Sequence, residues 1–516
     1  MQTKISEEFS LSAEGQEAEQ ILRQCVHCGM CNATCPTYQL LGDELDGPRG
    51  RIYLIKQVLE GQQPTQKTQT HLDRCLTCRS CETTCPSGVQ YARLLEIGRD
   101  IVEKKVGRSI TQKLWRGALK NGLSNPRLFQ HALKWGRKIK PVLPLRLQEK
   151  IPAAASFGVT PQAPQAKHAR KVIMLEGCVQ PNLAPNINAA TSRVLDRLQI
   201  QTLKPAQAGC CGAVRLHLSD RDGAIAAAKN NIDAWWPLVA DIADIGDIGD
   251  IGDIGDAADA VDADKRIERI VMTASGCGVT VKEYEHLLAH DSVYAEKAKK
   301  ISALTCDLSE LLADCIPELI ALIGGEITEK LVWHAPCSLQ HGQQVRGKVE
   351  GILQSLGVAV QTCADSHLCC GSAGTYAILQ ADLSRQLRDN KIRALEATGA
   401  EVIVSANMAC QQHLQTGTKM PVLHWIEILD RALASRPALI GTVDAVSDEA
   451  EIVAAATVVT VAAPVVTSPV LMPPESEIAA MVQADSATTV AKKKSGKSTG
   501  RKKAAGQTKT GKSKKQ

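Results

Sequence analysis

Two cysteine runs constrain this chain more than any other feature. They read Cys25-Val26-His27-Cys28-Gly29-Met30-Cys31 to Cys35-Pro36 and Cys75-Leu76-Thr77-Cys78-Arg79-Ser80-Cys81 to Cys85-Pro86, and each cysteine of the second lies 50 residues after its counterpart in the first. Each is C-x2-C-x2-C-x3-C-P. Three thiolates spaced by three wrap one face of a cubane cluster, and the fourth, carried past a short turn, points away. In chains that hold two clusters this fourth cysteine ligates the other one. The spacing therefore predicts one [4Fe–4S] cluster on Cys25, Cys28, Cys31 and Cys85, and a second on Cys75, Cys78, Cys81 and Cys35.

Zinc and disulfides fit the pattern less well. Structural zinc takes two cysteine pairs separated by a longer stretch, whereas here three close cysteines precede a fourth and a proline. Disulfide frameworks belong to small exported scaffolds, while this chain has 516 residues and an odd 19 cysteines. His27 lies between two ligands and is assigned no role. The stretch Met1 to Gln20 is polar, without the apolar core of a signal peptide, which places the protein in the cytoplasm. Net charge is +5. Residues 492–516 carry 11 Lys and Arg and no acid, so the rest of the chain sums to −6. The basic balance belongs to a tail and not to the folded body.

From about Ile21 to Val102 the pattern reads as a small α-helical domain within residues 1–103, with helices at Arg51 to Glu60 and Val89 to Val102. Residues 104–170 form a basic connector. Its first part, 104–150, holds 13 Lys and Arg against Glu149 alone, with Trp115, Phe129 and Trp135 interleaved. Basic amphipathic helices of this kind lie on anionic membranes or dock on a partner subunit. Ala153 to Gln165, rich in Ala and Pro, is a linker.

An internal repeat follows. Val172 to Leu175 reads as a strand leading to Gly177-Cys178, as Leu331 to Trp333 leads to Pro336-Cys337. Cys210-Cys211-Gly212 matches Cys369-Cys370-Gly371, and Ile270 to Met272 with Cys277 matches Val402 to Val404 with Cys410. The offsets are 159, 159 and 133 residues, so the first half carries 26 extra residues. These appear as the Ile-Gly-Asp repeats of 241–264, whose period of three differs from that of calcium-binding repeats and predicts a surface loop. Helices at Asn188 to Leu198 and Val345 to Leu356 complete two α/β units, 171–325 and 326–436, with parallel strands. The single cysteines then fall beyond the carboxyl ends of strands, where open α/β sheets bind ligands. The eight repeated cysteines, Cys178, Cys210, Cys211, Cys277, Cys337, Cys369, Cys370 and Cys410, mark a candidate third centre. Cys306, Cys315 and Cys363 lack counterparts and read as ordinary thiols. Residues 437–516 read as a disordered linker and tail. The uncharged stretch Ile452 to Pro474 is broken by Pro464, Pro469, Pro473 and Pro474, which argues against a membrane span.

The fold class is thus α+β and multidomain: an α-helical two-cluster domain, two repeated α/β cysteine-rich halves and a disordered tail. The repeated Cys…Cys-Cys-Gly…Cys pattern resembles the cysteine-rich (CCG) domain of heterodisulfide reductases and of the anaerobic glycerol-3-phosphate dehydrogenase small subunit. The stretch Ile21 to Arg436 resembles the glycolate oxidase iron-sulfur subunit family more closely. The runs that carry this likeness are Cys35 to Arg51, Leu175 to Cys178, Ala274 to Gly278 and Ser366 to Tyr376. The resemblance implies a ferredoxin-type electron-transfer subunit. Its FAD-bearing partners would oxidise glycolate to glyoxylate, or D-lactate to pyruvate, and it would pass the electrons toward a quinone-type acceptor, peripherally at the inner face of the membrane. No G-x-G-x-x-G follows a strand, so FAD is expected on the partners only.

The repeat departs from heterodisulfide reductases, whose halves end C-x-x-C, by having Thr280 and His413 at the last positions. This leaves open a third iron–sulfur cluster shared by the halves, a smaller site using His413, or a metal-free scaffold. Rival functions are a subunit of a related lactate or glycerol-3-phosphate dehydrogenase or heterodisulfide-reductase-like complex, and an iron–sulfur sensor whose lysine tail binds nucleic acid.

Overall fold

The structure, a computed structural model, describes residues 1–142, 164, 166–240 and 267–435. The acidic insertion 241–264, most of the linker, the stretch Ile452 to Pro474 and the lysine tail lie outside the described residues.

The amino-terminal domain is helical. The helix Pro48–Leu59 starts on a proline, whose missing N–H costs nothing at that position, and buries Ile52, Ile55, Val58 and Leu59. It crosses the helix Tyr91–Val106 at Gly98, where a Cβ would come within 2.6 Å of Ile55. The glycine thus sets how closely the two helices approach. The domain begins earlier than Ile21. The helix Ala13–Gln24, capped by the Ser12 side chain accepting from the Gly15 N–H, turns Ala18, Ile21 and Leu22 inward, and Phe9 joins the same core. Its one-sided burial explains why the stretch reads as polar in sequence. The Met1 amino group donates to the carbonyls of Leu22 and Cys25 at 3.1 and 2.6 Å. In the connector, Ile110–Ser124 and Pro126–Ile139 form two packed helices. They leave Ile110, Leu114, Trp115, Leu128, Trp135 and Ile139 exposed.

Two four-stranded parallel sheets follow. The first contains β1 (Arg170–Met174), β2 (Ile200–Leu203), β3 (Ile267–Met272) and β4 (Thr305–Asp307), in the order β2-β1-β3-β4. The second repeats it with β5 (Leu331–His334), β6 (Val360–Thr362), β7 (Val402–Ser405) and β8 (Val422–His424), ordered β6-β5-β7-β8. Strand order reverses between β1 and β3, and again between β5 and β7. The carboxyl ends at such a reversal diverge and leave a crevice for ligands. Cys178 and Cys277 follow the two strands of the first crevice, and Cys337 and Cys410 those of the second.

The halves share one core, in which Val172, Leu195 and Leu311 pack with Trp333, Leu353, Trp425 and Leu429. Polar pairs stitch its edge. The imidazole of His424 donates through Nε2 to the Thr273 carbonyl at 3.0 Å, and Arg193 bridges Asp430 at 2.6 Å.

Candidate metal centres

The two ligand loops repeat in backbone conformation as well as in sequence. His27 and its counterpart Thr77 have φ of 61° and 53°, and Gly29 and Arg79 have φ of 85° and 62°. Left-handed residues at both places curl the chain so that successive cysteines face one point, a conformation disfavoured for non-glycine residues. Short helices, Met30–Ala33 and Ser80–Thr84, then carry Cys31 and Cys81. Pro36 opens the next helix and so turns the chain sharply at Cys35.

Each cavity is lined by cysteines of both loops. Cys25, Cys28, Cys31 and Cys85 line one cavity with Pro48, Ile52 and Val89, and Cys81 also reaches it. Burial pushes the Cys31 thiol up to about 11, with further contributions from Cys25, Cys85 and Cys28. Cys75, Cys78, Cys81 and Cys35 line the second cavity, beside Arg51 and Tyr91. Burial likewise pushes the Cys78 and Cys81 thiols up. Buried thiols this reluctant to ionise alone are deprotonated by a bound cation, so both groups fit a cubane cluster.

Polar groups surround the second set. The Thr77 N–H and the Tyr91 hydroxyl donate to Cys75 Sγ at 3.4 and 3.6 Å. Arg51, only 1% exposed, donates to the Thr37 hydroxyl at 3.2 Å, and that hydroxyl is 3.3 Å from Cys35 Sγ. The buried Asp46 faces Arg51 at 3.5 Å and also takes Arg74 at 2.8 Å and His71 at 3.0 Å. Arg51 and Tyr91 were not among the residues the cysteine spacing singles out. The sequence signal for Arg51 was its place at the end of Gly47-Pro48-Arg49-Gly50-Arg51.

The cysteine-rich halves gather their thiols into two groups, one per half. In the first, the thiols of Cys178 and Cys211 and the Gly212 N–H donate to Cys210, which pulls that thiol down and pushes its neighbours up. Asn231 donates to the Cys210 carbonyl at 3.0 Å and Tyr284 to that of Cys211 at 2.9 Å. In the second, the Sγ atoms of Cys337 and Cys369 are 3.7 Å apart, and Cys370 lies between Cys369 and Cys410. Gly371, at φ 88°, must be glycine, since a Cβ would meet the Ser384 carbonyl oxygen at 2.6 Å. His413 turns its Nε2 toward Ser384, 3.2 Å from the hydroxyl. The buried histidine beside the thiols is instead His334, whose ring lies with Cys370 and Cys410. Cys306, Cys315 and Cys363 are core residues.

The second ligand loop rests on the second half. Leu76 and Cys78 pack with Cys337, Cys369, Tyr376 and Leu387. Thr83 donates to His341 Nδ1 at 2.9 Å, while Nε2 of that ring donates to the His367 carbonyl, also at 2.9 Å. Arg79 pairs with Glu283 of the first half. Among the described residues no helix is long and apolar enough to cross a membrane.

Comparison with known proteins places this geometry. Residues 21–89 match the 4Fe-4S dicluster domain family, and residues 172–244 and 331–415 match the cysteine-rich domain family. The chain is 52% identical over 433 residues to the glycolate oxidase iron-sulfur subunit of Escherichia coli K12, covering 84% of this chain and 99% of that one. It is 27% identical to the probable glycolate oxidase iron-sulfur subunit of Bacillus subtilis, over 77% of this chain and 89% of that protein. Lactate utilization protein A of the same Bacillus is 24% identical over half of this chain and 99% of its own length. With paired cysteine runs, a duplicated cysteine-rich unit and a relative matched along nearly its whole length, this chain belongs to the glycolate oxidase iron-sulfur subunit family.

Proposed function

We propose that this chain is the electron-transfer subunit of a glycolate-oxidising complex, with Cys25, Cys28, Cys31 and Cys85 holding one [4Fe–4S] cluster and Cys75, Cys78, Cys81 and Cys35 the other. The observation that supports this reading is that the eight thiols line two cavities, Cys85 beside the first run and Cys35 beside the second. When bound, such clusters accept and release single electrons at potentials set by thiolate ligation, hydrogen bonds and burial. Oxidation of glycolate to glyoxylate releases two electrons and two protons. A flavin held by a partner subunit would supply this two-electron chemistry and feed single electrons to this chain.

This chain's own residues support and tune the sites. Thr77 and Tyr91 donate hydrogen bonds to Cys75, and Arg51 sets a fixed positive charge beside Cys35. The acceptor is a quinone. The complex sits peripherally on the inner face of the cytoplasmic membrane, through the helices Ile110–Ser124 and Pro126–Ile139, whose exposed apolar residues alternate with lysines and arginines. Such a face suits anionic lipid.

The test is anaerobic co-purification with the flavin-bearing partners and assay of quinone-linked oxidation of glycolate, with D-lactate in parallel. Cys28→Ser and Cys78→Ser should each remove most of the activity while leaving flavin reduction by substrate intact. Full turnover in either variant rejects the relay. A preference for D-lactate reassigns the substrate.

A further inference from the structure

We propose that the second cysteine-rich half carries a metal centre of its own, a single thiophilic divalent cation held by His334, Cys370 and Cys410. The ligand atoms of these three side chains lie within 4.8 Å of one another, and all three residues are buried. Donors about 2.0–2.3 Å from one ion stand roughly 4 Å apart, so this spacing fits a mononuclear site. A cubane spreads its thiolates over different irons and holds them farther apart.

The histidine supplies an independent sign of a missing ligand. His334 is 1% exposed, and neither ring nitrogen has a hydrogen-bond partner among the described residues. An imidazole buried in this way forfeits about 1–3 kcal/mol for each unsatisfied polar atom, and a cation accepting the nitrogen facing the thiols removes part of that cost. Asn407 Nδ2 donates to Cys410 Sγ at 3.5 Å, an outer contact of the sort that orients a metal ligand.

Two thiolates and one imidazole select zinc or ferrous iron over calcium or magnesium, which take oxygen ligands. Binding releases the two thiol protons to solvent and leaves the fourth tetrahedral position to water or a neighbouring thiol. The first half offers no equivalent. Its residue at the same offset of 159 is Leu175, so the two halves differ in ligands although they share a fold.

The experiment uses full-length protein purified anaerobically, with zinc, iron and acid-labile sulfide measured per chain. Cluster iron is matched by sulfide. The expected result is about one further equivalent of zinc or iron without a matching sulfide. His334→Leu, which installs the residue of the first half, should lose that equivalent and keep cluster iron and sulfide. His413→Gln should retain it. Extra iron accompanied by equal sulfide, no metal beyond the clusters, or an unchanged extra equivalent in His334→Leu each overturns the proposal without touching the ferredoxin sites.

Discussion

Replacing Arg51 by methionine should lower the reduction potential of the cluster proposed on Cys75, Cys78, Cys81 and Cys35. Two contacts through the Thr37 hydroxyl, 3.2 and 3.3 Å long, place the guanidinium at most 6.5 Å from Cys35 Sγ. At an effective dielectric of about 20 a unit charge at that distance is worth ~2.6 kcal/mol, or ~110 mV for one electron. Spreading the added electron over the whole cluster reduces this to about half. A reduced cluster carries one more negative charge, so losing the cation disfavours reduction and the potential falls, by ~50–110 mV. Asp46 keeps Arg74 and His71 as partners in the variant, which limits the structural cost to about 3 kcal/mol. Arg51→Lys retains the charge and should shift the potential far less. An EPR-monitored redox titration reads both variants, the affected cluster being the one that Cys78→Ser abolishes. The reasoning fails if Arg51→Met keeps its clusters and its wild-type potentials, or if Arg51→Lys shifts as much.

Other perturbations test separate parts of the molecule. Cys28→Ser or Cys78→Ser should remove about four of about eight cluster irons, read by iron and sulfide analysis. Burial lowers His424 to about 4, below the ~6.5 of an unfolded histidine. Its stabilising contribution is therefore complete above pH ~6.5 and lost as pH falls toward 4, at most ~3 kcal/mol. A thermal-melt series should show the decline, and His424→Gln should make it shallower, because a second ring proton would confront the Ile426 N–H now donating to Nδ1 at 3.3 Å. Gly371→Ala should destabilise the second half by a few kcal/mol, about 3, through its positive φ and the Ser384 clash, seen in urea unfolding. Trp115→Ser with Trp135→Ser should release the chain from anionic vesicles in a flotation assay, as should high salt.

The clearest parts of the sequence were those where chemistry dictates spacing. The C-x2-C-x2-C-x3-C-P runs identify cysteines that line two neighbouring cavities, and the repeat offset of 159 anticipates two sheets of equal strand order. Boundaries were less legible. The helix Ala13–Gln24 looks solvent-facing because only four of its residues turn inward, and the closing helix runs to Val106 because no breaker precedes Gly107. His334 was hidden by its place within an apolar strand, Leu331–His334, where a histidine reads as core. Comparing the halves position by position would have exposed it against Leu175. Arg51 was marked only by its place in the Gly47 to Arg51 run, since helical periodicity cannot distinguish an inward-facing arginine from one that curls to the surface.

The exchanged fourth cysteines also bear on synthesis. In the proposed arrangement neither run keeps all four of its cysteines for one cluster, so a nascent chain released only as far as residue 84 lacks Cys85, the fourth member of the first set. The first set is then complete only after the second run has emerged from the ribosome, and a fragment truncated between the runs, left with Cys25, Cys28, Cys31 and Cys35, lacks the exchanged ligand set.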